Sequence, residues 1–345
     1  MKIVVDDKIP YIKGEVEKLA EDVVYLPGAK IRPEDVQDAD ALIVRTRTHC
    51  NRDLLEGSKV KFIATATIGF DHLDPQYLEE AGIQWTNCPG CNATSVAQYV
   101  YSSLLLLEQD FDINLKTSTL GIIGVGNVGT AVYQKCKDLV GRVLLNDPPR
   151  QEQEGEATNF QWSTLSRLME ECDIITIHTP LVMDGPHPSF HLVDEDFLHH
   201  LSRKPFLING GRGEVVDNEA LERAIDEKRI RQAIIDTWED EPNIRLSLLK
   251  KVFIGTPHVA GYSADGKANA TRMSLEALAK WLQKDIQFQI KAPTLPEGTI
   301  TATEPKELAL QLYNPKQDSQ TLKEHPERFE AQRGNYPLRR ESVES

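Results

Sequence analysis

The chain has 345 residues, 40% of them hydrophobic and 27% charged, with a formal net charge of -14. That length exceeds what one core usually holds, so two domains and an appendage are expected, and the composition is that of a globular protein rather than a disordered or fibrous one. The acidic balance repels polyanions, which argues against nucleic acid and membrane surfaces as partners but leaves room for a small anion gripped by a few focused arginines.

At the start, the apolar run of Ile3, Val4 and Val5 meets Asp6 and Asp7, unlike a signal-peptide core. The run around Leu104 to Leu107 is far too short to span a bilayer. Five cysteines, an odd number, do not suggest a disulfide framework, and a reducing cytoplasm fits. Cys88 and Cys91 have CxxC spacing but no second ligand pair follows, so no metal site is expected.

Short Val- and Ile-rich runs recur along the chain at 3–5, 41–44, 62–64, 120–123, 143–145, 174–177, 206–208, 233–235 and 252–254. Helix-like stretches lie between many of them, such as 218–228 with Leu221 and Ile225 four apart. Such alternation predicts parallel sheets wrapped by helices. A long helix is expected over 92–108, entered through Thr94 and Ser95 with Gln98 completing a capping box, and joining two domains. Beyond Lys284 prolines and charge accumulate, which reads as an appendage suited to contact between copies.

One glycine motif has a specific context. Gly124-Val125-Gly126-Asn127-Val128-Gly129 follows a strand-like run and opens a helix-like one, as a dinucleotide-binding turn requires. The helix N-terminus then offers free N–H groups to a pyrophosphate. The next strand ends near Asp147, whose carboxylate suits both ribose hydroxyls and repels a 2'-phosphate, favouring NAD, although Arg150 stands close by.

Three later strand ends carry polar residues where ligands of open parallel sheets bind. They lead to Asn209-Gly210-Gly211-Arg212-Gly213, to Asp236 through Glu241, and to Thr256-Pro257-His258 through Tyr262. Taking hydride from a carbon that bears a hydroxyl requires a base with a near-neutral pKa, and His258 fits. A carboxylate on the far ring nitrogen would fix its tautomer, with Glu239, Asp240 and Glu241 all available. Arg212 between glycines suits a substrate carboxylate and its developing carbonyl.

These motifs together resemble the D-isomer-specific 2-hydroxyacid dehydrogenases. The general motif covers roughly 121–262, and Val44-Arg45-Thr46, Thr65-Ala66-Thr67, Pro89 through Ala93, Asn146 through Pro149 and Arg333 through Arg340 extend the likeness over nearly the whole chain. The resemblance implies two doubly wound parallel-sheet α/β domains with a C-terminal dimerisation appendage. A flavodoxin-like substrate domain would occupy 1–94, completed by a returning helix near 266–284; a Rossmann NAD domain 95–265; and the appendage 285–345. It implies NAD-dependent oxidation of a phosphorylated 2-hydroxy acid by a homodimer, with Arg212, Glu241 and His258 as catalytic residues. Alternatives are oxidation of 3-phosphoglycerate or an unphosphorylated hydroxy acid, and a non-catalytic NAD sensor on the same fold.

By the same resemblance Gly124, Gly126, Asn127, Val128, Gly129, Asp147, Thr179, Gly210, Gly211, Asp236 and Gly261 line the cofactor site. Thr46, Thr67 and Tyr262 contact substrate, with backbone N–H groups around Ile68 and Gly69 receiving its carboxylate; Thr46 stands where the family carries serine. Arg45 and Arg47 are our own candidates for the distal phosphate, since a planar guanidinium suits it.

Overall fold

The computed structural model describes residues 1–155 and 159–343, which form two compact units. The first comprises Met1–Asn92 and Ser263–Leu295; the second comprises Ala93–Tyr262 and Pro296–Val343. Residues 296–343, expected within a separate appendage, thus pack with the second unit.

The first unit is built on strands β1 (Lys2–Asp6), β2 (Asp22–Leu26), β3 (Ala41–Val44), β4 (Phe62–Thr65) and β5 (Gln84–Thr86). They run parallel in the order β2-β1-β3-β4-β5, the flavodoxin-like arrangement. Side chains alternate between faces at every residue, so a run such as Ala41-Leu42-Ile43-Val44 must feed two cores. Ile3, Val5, Ala41, Ile43 and Phe62 meet Leu275 and Leu278 of the helix Ala264–Trp281 on one face. Val4, Leu42, Val44 and Ile63 meet Leu54, Leu55 and Leu78 on the other. Ser263 starts the returning helix by accepting a hydrogen bond from the Gly266 N–H at 2.8 Å.

The second unit carries β6 (Thr119–Ile123), β7 (Arg142–Asn146), β8 (Ile174–Ile177), β9 (Phe206–Asn209), β10 (Gln232–Ile235) and β11 (Ile254–Gly255). Their parallel order is β11-β10-β9-β8-β6-β7, extended past β7 by a bridge from Leu145 to Trp162. The strand order reverses beside β6, between it and β8, where ligands of such sheets gather. The helix Ala93–Asp110 is buried along most of its length, its polar Ser95, Gln98, Ser102 and Ser103 included. Ser95 and Gln98 are not its capping box: both lie inside it and bond across to other segments, Ser95 Oγ donating to the Ala260 carbonyl at 2.8 Å and Gln98 Nε2 to that of Arg340 at 2.9 Å.

The edge strand β11 is short and covered, as an edge needs to be. Ser319 of the helix Pro315–Glu324 accepts the Gly255 N–H at 2.9 Å, and Lys323 Nζ donates to the Val252 carbonyl at 2.6 Å. Leu322 and Phe329 join the core around Trp238 and Leu249, and Tyr313 joins the opposite one. No described helix is long and apolar enough to cross a membrane.

Candidate active site

The carboxyl edge of the second sheet collects nearly all the expected cofactor residues, because each follows directly on a parallel strand. β6 runs into the glycine turn. Gly124 sits at φ +82°, and a side chain at Gly129 would lie 2.0 Å from the Gly124 carbonyl, so the turn and the helix Asn127–Cys136 close only with glycine. Nothing lies within 4 Å of where a Gly126 side chain would stand, and that residue begins the helix with no side-chain cap. The helix therefore presents its first N–H groups to open space beside exposed Asn127 and half-buried Val128.

At the end of β7, Asp147 Oδ2 accepts the Val125 N–H at 2.7 Å while Oδ1 accepts the Arg150 N–H at 3.0 Å. The carboxylate thus sits against the glycine turn and starts the helix Pro148–Glu154. Arg150 is engaged internally: it bonds to the Val125 carbonyl, to Thr130 Oγ1 at 2.9 Å and to Glu154 at 2.6 Å, and stacks on Phe160. After β8, Thr179 Oγ1 is buried without a hydrogen-bond partner, an orphan that a ligand would satisfy. Gly210 and Gly211 follow β9, with the Gly211 N–H held by Asn209 Oδ1 at 3.2 Å.

His258 and Glu241 meet. His258 Nδ1 lies 2.9 Å from Glu241 Oε2, and the other carboxylate oxygen accepts the Trp238 N–H at 2.9 Å. The three neighbouring acids that the sequence left open are thereby separated. Glu239 instead receives His191 Nε2 at 2.6 Å and the Asn218 N–H at 2.8 Å, and Asp240 is exposed in a left-handed backbone conformation. Burial favours a neutral Glu241, but the His258 hydrogen bond and charge, the Trp238 N–H and the Arg333 charge outweigh it and hold the carboxyl below its ordinary range.

His258 itself adopts φ +56°, a conformation that costs free energy for any residue with a side chain. Its loop is fixed tightly enough to impose it. The His258 N–H bonds to the Asp236 carbonyl at 2.9 Å, and Asp236 Oδ1 accepts the Val259 N–H at 2.8 Å and the Thr256 hydroxyl at 2.6 Å, with Oδ2 taking the Ala260 N–H at 3.0 Å. Asp236, expected beside the cofactor, therefore spends its side chain on holding the His258 loop; Gly261 and Tyr262 continue that loop. Burial pushes the Asp236 carboxyl up in pKa, against the pull of His258 and these donors.

Arg212 is exposed, and its own loop is pressed onto that of Glu241. A side chain at Gly213 would stand 1.8 Å from the Trp238 carbonyl. Asn209 Nδ2 bridges the two loops, donating to the Arg212 carbonyl at 3.1 Å and to the Thr237 carbonyl at 3.2 Å. Trp238 adds a tie to the third loop through Nε1 and the Thr256 carbonyl, 2.9 Å. Sequence reasoning missed Asn209, whose place before two glycines reads only as a turn, and it missed Arg333 and Arg339, which read as tail.

The first unit holds the other substrate candidates, after β3 and β4. Arg45 donates to the Lys8 carbonyl at 2.7 Å and lies 3.8 Å from Asp6, whereas Thr46 and Arg47 are exposed. Thr67 donates to the Gly69 carbonyl at 2.9 Å, its oxygen lies 2.6 Å from Thr65 Oγ1, and that oxygen lies 2.8 Å from His72 Nε2. Ile68 accepts from Asn87 Nδ2 at 2.7 Å.

Comparison with known proteins bears on the family and the fold. Residues 104–260 match the D-isomer specific 2-hydroxyacid dehydrogenase, NAD binding domain. The chain is 55% identical to an erythronate-4-phosphate dehydrogenase of Bacteroides thetaiotaomicron over 99% of this chain and 97% of that protein. It is 42% identical to one from Porphyromonas gingivalis, covering 99% and 94%, and 40% identical to one from Escherichia coli, covering 99% and 92%. The crystal structure of a D-lactate dehydrogenase from Aquifex aeolicus, complexed with NAD and lactic acid, shares the fold with a TM-score of 0.63 at 22% identity, over 82% of this chain and 96% of that one. The chain belongs to the D-isomer specific 2-hydroxyacid dehydrogenase family, alongside the relatives named erythronate-4-phosphate dehydrogenase.

Proposed function

We propose that the chain oxidises 4-phospho-D-erythronate to its 2-oxo acid with NAD as cofactor, a step of pyridoxine 5'-phosphate biosynthesis. The observation that carries the chemistry is the 2.9 Å pairing of His258 with Glu241 at the edge of the dinucleotide-binding sheet. A carboxylate only accepts hydrogen bonds, so the shared proton sits on His258 Nδ1, which leaves Nε2 as the base. Nε2 takes the hydroxyl proton of the substrate, and Glu241 stabilises the imidazolium that results. Arg212 holds the substrate carboxylate and polarises the carbonyl as it forms.

The cofactor suits the residues present: the open Gly126 cradle for its pyrophosphate, Asp147 for its ribose, and the orphaned Thr179 hydroxyl. When bound, NAD supplies the hydride acceptor. The substrate is the one that the relatives' name implies, with Thr46, Thr67, Ile68, Gly69 and Tyr262 as its contacts. Because Arg45 is engaged with Lys8 and Asp6, exposed Arg47 is the better candidate for the phosphate.

Purified protein given a panel of hydroxy acids and NAD should form reduced nicotinamide fastest with 4-phospho-D-erythronate. Turnover of D-glycerate or 3-phosphoglycerate with none of this substrate would overturn the assignment. His258→Ala should lower kcat by roughly a hundredfold or more while NAD still binds, as the loss of a general base requires. Five buried free thiols suit a reducing cytoplasm. A homodimer formed through 285–345, where Leu338 and Val343 are exposed, should show twice the chain mass in light scattering.

A further inference from the structure

The C-terminal segment lies against the proton-transfer pair in the same unit. Arg333, on the helix Phe329–Gly334, places Nη1 3.7 Å from Glu241 Oε2, the same oxygen that pairs with His258 Nδ1. It is held there from both sides. Upstream, Phe329 is buried in the core that contains Trp238, whose N–H bonds to the other oxygen of Glu241. Downstream, the buried Arg339 donates to the carbonyls of Val259 at 3.0 Å, Ala260 at 2.5 Å and Tyr262 at 2.8 Å, the loop that begins at His258. Its guanidinium also lies 3.8 Å from the centre of the Tyr313 ring. These ties hold the chain on either side of Arg333 against the pair.

We infer that Arg333 is a positioning residue for proton transfer, presenting a positive charge to the carboxylate oxygen that pairs with His258 and so weakening that carboxylate's pull on the imidazolium formed when the base takes its proton. The inference rests on the reading of His258 as the base. One carboxylate then faces two cations whenever His258 is protonated, and Arg333 claims part of the potential that would otherwise favour the imidazolium. A neighbouring like charge disfavours the charged form, so Arg333 opposes formation of the imidazolium beside Glu241. The ionisable groups around these three include Tyr262, which hydrogen-bonds Arg333, Glu330 beside it, and Asp236 behind His258. The charge of Glu241 and the hydrogen bond to Tyr262 oppose the effect of burial and strengthen the hold of Arg333 on its proton, and a guanidinium stays charged across the working range.

The test is the pH profile of kcat/KM for the full chain with Arg333→Met and Arg333→Lys. In Arg333→Met the acidic limb should move to higher pH by about half a unit or more, which lowers kcat/KM about threefold at a pH on that limb. NAD affinity, circular dichroism and KM at alkaline pH should stay as in the unaltered protein, and Arg333→Lys should restore the limb. A limb that stays in place, with activity lost equally at every pH or through KM alone, overturns the inference, since Arg333 would then be structural or would hold the substrate phosphate. An unaltered enzyme with no acidic limb, or turnover that survives His258→Ala, sinks the reading of His258 and this inference with it.

Discussion

Asn209 looks like one more turn residue before two glycines, yet it is completely buried and its amide joins the loop of Arg212 to that of Trp238 and Glu241. Asn209→Ala should leave two carbonyls short of a donor, at a cost of about 1–3 kcal/mol each where burial is complete. We expect kcat to fall more than NAD affinity, measured by turnover and calorimetry. Gly213→Ala should be harsher, because a methyl 1.8 Å from the Trp238 carbonyl forces the backbones of both loops apart. The position of His258 at a strand end was legible from the residues, whereas its partner Glu241 was named only by the family resemblance. Three consecutive acids follow Trp238, and only the backbone path decides that the third turns inward while the first reaches His191. Glu241, held below its ordinary value of 4.5, is ionised above it in both the folded and unfolded chain, so its stabilising contribution is complete there and is lost as pH falls through its lower folded value. Glu241→Gln should therefore flatten part of the acid limb of a denaturation profile and slow turnover.

Elements were legible in proportion to how completely they are buried. Runs such as Ala41–Val44 and Phe62–Thr65 are apolar throughout because both faces are covered. β2 and β5 escaped notice for the opposite reason: they form the two edges of their sheet, Asp22–Leu26 is only partly buried, and Gln84–Thr86 is three residues long with a polar start. Ser95 and Gln98 misled because a capping pattern and a pair of long-range hydrogen bonds use the same side chains. The helix Pro315–Glu324 lay hidden in a proline-rich, charged stretch, where Leu322 is the one large apolar side chain buried, beside Pro315 and Ser319. Leu322 is fully buried among Trp238, Leu249 and Val252. Leu322→Ala should destabilise the chain by about 2–5 kcal/mol, read as a lower Tm, and should uncover the β11 edge.

At the scale of the whole molecule, two buried histidines link stability to acidity. Burial pushes His178 down to about 3 from the ordinary 6.5, and burial likewise lowers His72 against the pull of Asp71. A histidine that folds in its neutral form contributes fully above pH 6.5, and that contribution is lost progressively as the pH falls below it. The Tm should decline on acidification from neutrality, and His178→Asn should make the decline shallower; identical slopes would show that other groups control it.

The Arg339 contacts have a consequence for the order in which the protein is made. The carbonyls of Val259, Ala260 and Tyr262 wait for a donor that emerges from the ribosome 77 to 80 positions later. Until it arrives, the loop that carries His258 lacks those hydrogen bonds, so ending the chain just before Arg339 should lower turnover more than cofactor affinity.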